Sequence, residues 1–333
     1  MKILITAPYS EKAQVQLAQA IGQIIYKPWK PQGRAYNGQE LIDMLTSTGA
    51  TALITEHDEI SDKVINEYHD LQFIGVCRGT PSNVDVHFAT NDGIPIFYTP
   101  ARNAQAVAEM FIANVISLLR QTIASVEWLK SKKWGTGAHT SYLQFKGNEL
   151  AGKTIGMVGF GAVGQRIANM VKNFPCSIQF CDPFIESPHP DYRKINIDQL
   201  FQTSDIVSVH LPLNKETKGM INTTLLSKMK PSAIFVNTAR AAVVNRNDLL
   251  EMLETKKISG AILDVFDHEP PDETDYKIID LPNVLATPHI AGATFEVEDH
   301  HAEIMNEALI DWFVNGKINA GVIVNPKVLT VKS

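Results

Sequence analysis

Gly159-Phe160-Gly161-Ala162-Val163-Gly164 follows an apolar run, Ile155–Val158, and opens a helical pattern, Val163–Val171. That order, strand then glycine turn then helix, is what pyrophosphate recognition needs. The first glycine permits a tight turn, the second lets a phosphate approach the backbone, and the third lets the helix pack on the strand. Ala162, Val163 and their neighbours then present free N–H groups at a helix N-terminus. The next apolar run ends at Asp182, 182 − 164 = 18 residues on. This is near the roughly 20-residue offset of an acid that bonds the adenosine ribose hydroxyls. A carboxylate there repels a 2′-phosphate, so the pattern selects NAD over NADP. The plainer reading is a bare strand–helix turn with Asp182 at a solvated strand end.

Other elements must place this turn. Short β-rich runs at Lys2–Thr6, Thr51–Thr55, Leu71–Val76 and Ile94–Tyr98 alternate with helical patterns at Glu11–Ile21, Gln39–Thr46 and Ser61–His69. Six more strand candidates follow: Thr154–Gly159, Ser177–Asp182, Ile206–His210, Ala233–Asn237, Ile258–Asp264 and Val284–Thr287. Alternating β and α patterns predict an α/β protein of two doubly wound parallel sheets. Between the series runs a long helix with an apolar stripe, Val107, Met110, Phe111, Val115, Leu118 and Leu119, which something must cover. A last helix spans 294–314, with His300 and His301 expected on its surface, since adjacent helical residues diverge.

The 333 residues suffice for about two domains. The formal charge of −6, without a long Lys/Arg run, speaks against nucleic acid. The segment 107–126 carries too many polar groups for lipid, and the N-terminus reads as a strand, so no membrane association is expected. Three cysteines without ligand spacing imply neither a disulfide framework nor a metal site, and suit the cytoplasm.

Three later segments complete a pattern: Val236-Asn237-Thr238-Ala239-Arg240, Leu263-Asp264-Val265-Phe266-Asp267-His268-Glu269-Pro270 and Thr287-Pro288-His289-Ile290-Ala291-Gly292. With the glycine motif, in this order and spacing, the chain resembles the D-isomer-specific 2-hydroxyacid dehydrogenases over roughly residues 70 to 300. The resemblance implies NAD-dependent, reversible hydride transfer between a 2-oxo acid and a D-2-hydroxy acid. Arg240 would anchor the carboxylate with a planar, permanently charged fork, which Lys cannot reproduce. His289 would exchange the proton, and Glu269 would fix its tautomer. The resemblance further implies that Asp264 meets the nicotinamide carboxamide, that His210, Pro212 and Thr217 line the cofactor site, and that Thr238, Ala239 and Gly292 border the nicotinamide. Taken singly, His289 could be a loop histidine, Arg240 a surface ion pair and Glu269 a turn residue. His268 reads as a solvated neighbour. Formate dehydrogenases of this fold carry Gln as the partner, so Glu269 argues against formate.

The resemblance splits the domains in sequence. Residues 1–101 and 293–333 would form a flavodoxin-like substrate domain and 102–292 the Rossmann domain, with the active site in a closing cleft. It also implies a homodimer through the long helix and the arm from Trp134 to Phe145. Cys77-Arg78-Gly79 replaces the family's small-residue loop, whose backbone N–H groups hold the substrate carboxylate. Arg78, with Arg102, could select a polyhydroxy or phosphorylated sugar acid, or could form outward salt bridges. An NAD(H)-sensing corepressor and a purely structural nucleotide-binding subunit are the rival readings.

Overall fold

The computed structural model describes residues 1–135, 137–187 and 189–330. The chain divides into two compact units, Met1–Asn103 with Thr294–Ser333, and Ala104–Ala293.

In the first unit β1 (Lys2–Ile5), β2 (Gln23–Tyr26), β3 (Ala52–Thr55), β4 (Ile74–Val76) and β5 (Ile96–Tyr98) form a parallel sheet in the order β2-β1-β3-β4-β5. This is the flavodoxin-like order. Both faces must be covered, which explains why β1 and β3 read as unbroken apolar runs. Ile3, Ile5, Leu17, Phe73, Phe97 and Leu309 pack on one face, beneath the helices Glu11–Ala20 and Glu296–Phe313. Leu4, Leu41, Leu45, Leu53, Ile74 and Ile96 pack on the other. The edge strand β2 is absent from the sequence reading. It has only Ile24 and Ile25 as apolar residues and is defined by pairing to β1 rather than by its own pattern.

In the second unit β6 (Thr154–Val158), β7 (Ser177–Cys181), β8 (Tyr192–Lys194), β9 (Ile206–Val209), β10 (Ile234–Asn237), β11 (Gly260–Leu263) and β12 (Val284–Ala286) form a seven-stranded parallel sheet. Its order is β12-β11-β10-β9-β6-β7-β8. Six strands were expected; β8, a polar three-residue edge strand, is the seventh. The order reverses between β6 and β9, the switch point where open α/β sheets bind ligands.

The long helix is Ala104–Leu119. Phe111, Val115 and Leu119 are buried against Ile167, Ala168 and Val171 of the helix Ala162–Val171 and against the sheet. Much of that stripe is thus covered within the unit itself, while Met110 and Leu118 stay half-buried. What stays exposed lies beyond it, at Ile123, Val126, Leu129, Trp134, Tyr142 and Leu143. Thr136, within that arm, and residues 331–333 lie outside the described residues. Among the described residues no single helix is long and apolar enough to cross a membrane.

Candidate active site

The glycine turn leaves β6 at the switch point. Gly159 has φ +89°, and a Cβ there would stand 2.8 Å from the carbonyl oxygen of His210, at the end of β9. Only glycine satisfies both constraints. A Cβ on Gly164 would meet Gly159 O at 3.0 Å and the Phe160 ring at 3.3 Å, while one on Gly161 would meet nothing within 4 Å. The first pair is helix-on-strand packing; the open face of Gly161 is where a ligand can approach. Gly161 caps the helix Ala162–Val171, and no side chain among the described residues bonds to its first N–H groups. They stand available to an anion.

Asp182 ends β7. One oxygen accepts from Phe160 N at 2.7 Å, the other from Phe184 N at 2.8 Å and Ile185 N at 3.1 Å. The carboxylate therefore fixes the glycine turn, a role absent from the sequence reading. It keeps acceptor capacity for a ribose hydroxyl, since a carboxylate offers about four acceptor sites. His210 meets Ser208 Oγ at 2.9 Å, and burial pushes its imidazole down to about 4. Thr217 Oγ1 donates to Pro212 O at 2.6 Å and accepts from Asn214 N at 2.9 Å, closing the loop after β9. The buried hydroxyl of Thr238 has no partner among the described residues. An open glycine turn, a carboxylate at the end of the neighbouring strand and an orphaned hydroxyl fit a dinucleotide.

The second cluster grows from adjacent strand ends. At the end of β10 the Asn237 side chain, 2% exposed, accepts from Ala239 N at 3.0 Å and donates to Arg240 O at 3.0 Å. This folds the loop that presents Arg240, whose Nη1 donates to Ala239 O at 2.6 Å. One strand over, Asp264 is 1% exposed. Its carboxylate accepts from Thr287 Oγ1 at 2.6 Å, Ile290 N at 2.9 Å and Ala291 N at 2.8 Å. It thus brackets the loop after β12, in which His289 sits at φ +53°. A non-glycine residue in that region costs roughly 1–2 kcal/mol, so the bracket holds strain. Both Asp264 oxygens thus hold the loop, a role absent from the sequence reading, and like Asp182 the carboxylate keeps one acceptor site beyond these three bonds. Gly292 lies in the turn closed by Ala293 N and Ile290 O at 2.9 Å.

His289 Nδ1 lies 2.8 Å from Glu269 Oε2, and the other Glu269 oxygen accepts from Phe266 N at 3.3 Å. A carboxylate at Nδ1 requires a proton there, so Nε2 is the atom left to exchange protons. Arg240, Glu269 and His289 line one cavity of about 300 Å³, with Leu213, Val265, Phe266 and Asp267. That volume lies at the small end of ligand sites.

The residues expected at the substrate loop lie in the first unit. Cys77 N donates to Thr55 O at 2.7 Å and Arg78 N to Val76 O at 2.8 Å, so these N–H groups are already engaged; a Cβ on Gly79 would meet nothing. Arg102 is held at Nη1 by Glu56 at 2.8 Å and by His301 Nδ1 at 3.0 Å. His301 is fully buried, contrary to the expected surface position, and its Nε2 donates to Pro8 O at 2.7 Å. An imidazole accepting from a guanidinium must be neutral, and burial lowers its pKa accordingly. Composition gave no sign of this network, because residues 56, 102 and 301 meet only in the fold.

Residues 112–291 match the family described as D-isomer specific 2-hydroxyacid dehydrogenase, NAD binding domain. The chain is 57% identical to YoaD of Bacillus subtilis (strain 168), named for the 2-hydroxyacid dehydrogenases, over 99% of this chain and 96% of that protein. It is 34% identical to a hydroxypyruvate reductase of Thermotoga maritima, over 77% of this chain and 80% of that one. Among solved structures, the TT0316 protein from Thermus thermophilus superposes with a TM-score of 0.80 at 28% identity, covering 97% and 100% of the two chains. The chain belongs to the D-isomer-specific 2-hydroxyacid dehydrogenases. It is an NAD-dependent dehydrogenase, and the corepressor reading finds no support in these relatives.

Proposed function

We propose that the chain interconverts a small 2-oxo acid and its D-2-hydroxy acid, with Arg240 orienting the substrate and His289 exchanging the proton. The observation that carries this reading is the single cavity onto which Arg240, Glu269 and His289 converge. When bound, the nicotinamide supplies or accepts the hydride. Arg240 holds the substrate carboxylate, and His289 Nε2 gives a proton to the carbonyl oxygen as it becomes a hydroxyl. Glu269, at Nδ1, stabilises the imidazolium before that transfer. Thr238 Oγ1, Ala239, His210, Pro212, Thr217 and Gly292 would border the cofactor, and Asp182 would bond its ribose and disfavour NADP. We assign the first unit to the substrate domain and the second to the cofactor domain, with Arg78 as a candidate selector of polar or phosphorylated acids. The exposed side chains from Ile123 to Leu143 favour a homodimer, and three free cysteines favour the cytoplasm.

The test is nicotinamide absorbance against glyoxylate, pyruvate, hydroxypyruvate and sugar-derived oxo acids, with NADH and NADPH in parallel. Turnover on at least one acid is expected, together with its loss in His289→Ala while NADH binding persists. Undiminished turnover in that variant would remove His289 from the chemistry. Equal losses on sugar acids and pyruvate in Arg78→Ala would remove Arg78 from selection.

A further inference from the structure

Glu269 sits on an acidic connection, residues 264–272, that is exposed over 267–270, yet its carboxylate must meet His289 at 2.8 Å. One side chain from a different connection ties this segment down on both sides of Glu269. Arg246 Nε lies 3.3 Å from Asp267, and its Nη1 donates to Asp272 at 2.9 Å and to Asp275 at 3.0 Å. Asp275 is 1% exposed, and its second oxygen accepts from His268 N and Asp272 N, each at 3.2 Å. Asp272 also caps the helix Glu273–Ile279. The guanidinium thus joins Asp267, Asp272 and Asp275, and His268 Nδ1 also lies 2.9 Å from Asp272.

The placement of Arg246 is itself unusual. It is the first residue of the helix Arg246–Glu254, where the helix dipole disfavours a cation. The three carboxylates offset that cost, and a planar fork reaches them where an ammonium cannot. His268, Asp272 and Asp275 bring ligand atoms within 4.8 Å of one another, but Arg246 already occupies both carboxylates. The connection after β10 carries Arg240 and Arg246 alike. Arg246 thus couples the segment of the substrate anchor to the segment of the proton partner.

We infer that Arg246 is a positioning residue, which sets Glu269 against His289 by clamping residues 267, 272 and 275. The inference rests on the assignment of Glu269 and His289 under Proposed function. The charged groups around His289 in this unit are Glu269, Arg240 and Asp267 in the cavity wall and Asp264 beneath the loop. Losing the clamp frees Glu269 and weakens its hold on the imidazolium. Losing only the positive field would act oppositely and strengthen it.

The experiment is a pH titration of the full chain labelled with ¹³C-histidine, the His289 signal being identified by its loss in His289→Asn. Arg246→Gln is expected to lower the His289 midpoint by about half a pH unit, roughly a 3-fold loss of proton affinity. Arg246→Lys, which keeps the charge but not the three-way reach, is expected to give part of that drop. Glu269→Gln should lower the midpoint further, and adding Arg246→Gln to it should change nothing more. A midpoint unmoved or raised in either Arg246 variant overturns the inference, as does an equal drop in the Glu269→Gln background. If the Gln variant does not fold, the Lys variant decides alone. Full turnover in Glu269→Gln would instead sink the role of Glu269 in catalysis while leaving the titration result standing.

Discussion

Asp264→Asn is the sharpest test of how the site is held. The substitution preserves shape but replaces one acceptor oxygen with an NH₂ group. The carboxylate receives Thr287 Oγ1 and Ile290 N on one oxygen and Ala291 N on the other. Whichever way the amide is turned, at least one main-chain N–H of the loop faces a donor. A buried donor left unpaired costs about 1–3 kcal/mol. The loop also confines His289 to φ +53°, a conformation disfavoured by roughly 1–2 kcal/mol. The loop can relieve both costs together by letting His289 relax out of the left-handed region. The expected loss in kcat/KM is about 10- to 100-fold, equivalent to about 1.4–2.8 kcal/mol of barrier. The apparent Tm should fall by roughly 2–10 °C. The assay is steady-state NADH oxidation on the best oxo acid, beside thermal unfolding and an NADH titration. A variant within about twofold of the parent in kcat/KM and unchanged in Tm would refute the bracket. A variant that lost NADH affinity alone would assign Asp264 to a direct cofactor contact instead of the bracket.

Arg240→Lys should raise KM for the oxo acid about tenfold or more, because a point charge cannot reproduce a two-bond carboxylate contact; an unchanged KM in initial-rate kinetics removes the anchor. Asp182→Ser should narrow the preference for NADH over NADPH, and should also lower NADH efficiency because Phe160 N loses its acceptor. Parallel kinetics with the two cofactors check this, and an unaltered ratio refutes the ribose role. His210 makes stability pH-dependent. Its folded-state pKa of about 4 lies below the unfolded value of about 6.5, so its contribution is complete above pH 6.5. Below that pH the unfolded chain binds a proton that the folded chain refuses, and roughly 3 kcal/mol is lost as pH falls to about 4. Urea unfolding midpoints at pH 7 and 5 should therefore differ less in His210→Gln than in the parent; equal differences would refute the assignment.

The cofactor turn was legible because its glycines answer to backbone geometry, and geometry of that kind demands a residue type wherever it occurs. Arg240, Glu269 and His289 were legible only jointly, through order and spacing. Less visible was direction. The sequence shows an acid at 264 but not that its carboxylate turns beneath the β12 loop, and an acid at 182 but not that it also grips Phe160 N. Strands β2 and β8 escaped because each is a short edge strand in which pairing, rather than pattern, decides structure. His301 was misplaced for another reason. A polar residue reads as exposed until its partners are known, and the partners here, Arg102 and Pro8, are distant in sequence.

Asn237 and Asp264 explain together how the loops that carry Arg240 and His289 keep their geometry. They end adjacent strands and are joined directly, Asp264 N donating to Asn237 O at 3.0 Å. Each is buried, and a buried amide or carboxylate is tolerable only when its bonds are met. Here the bonds are met by the loops themselves, three from the β12 loop to Asp264 and two between Asn237 and the β10 loop. The need to satisfy a buried polar group and the need to fix a reactive one are thereby solved by the same contacts. Arg240 and His289 can remain exposed because the rigidity lies one layer below them. Substitutions at 237 and 264 should accordingly cost activity and stability together, whereas substitutions at 240 and 289 should cost activity alone.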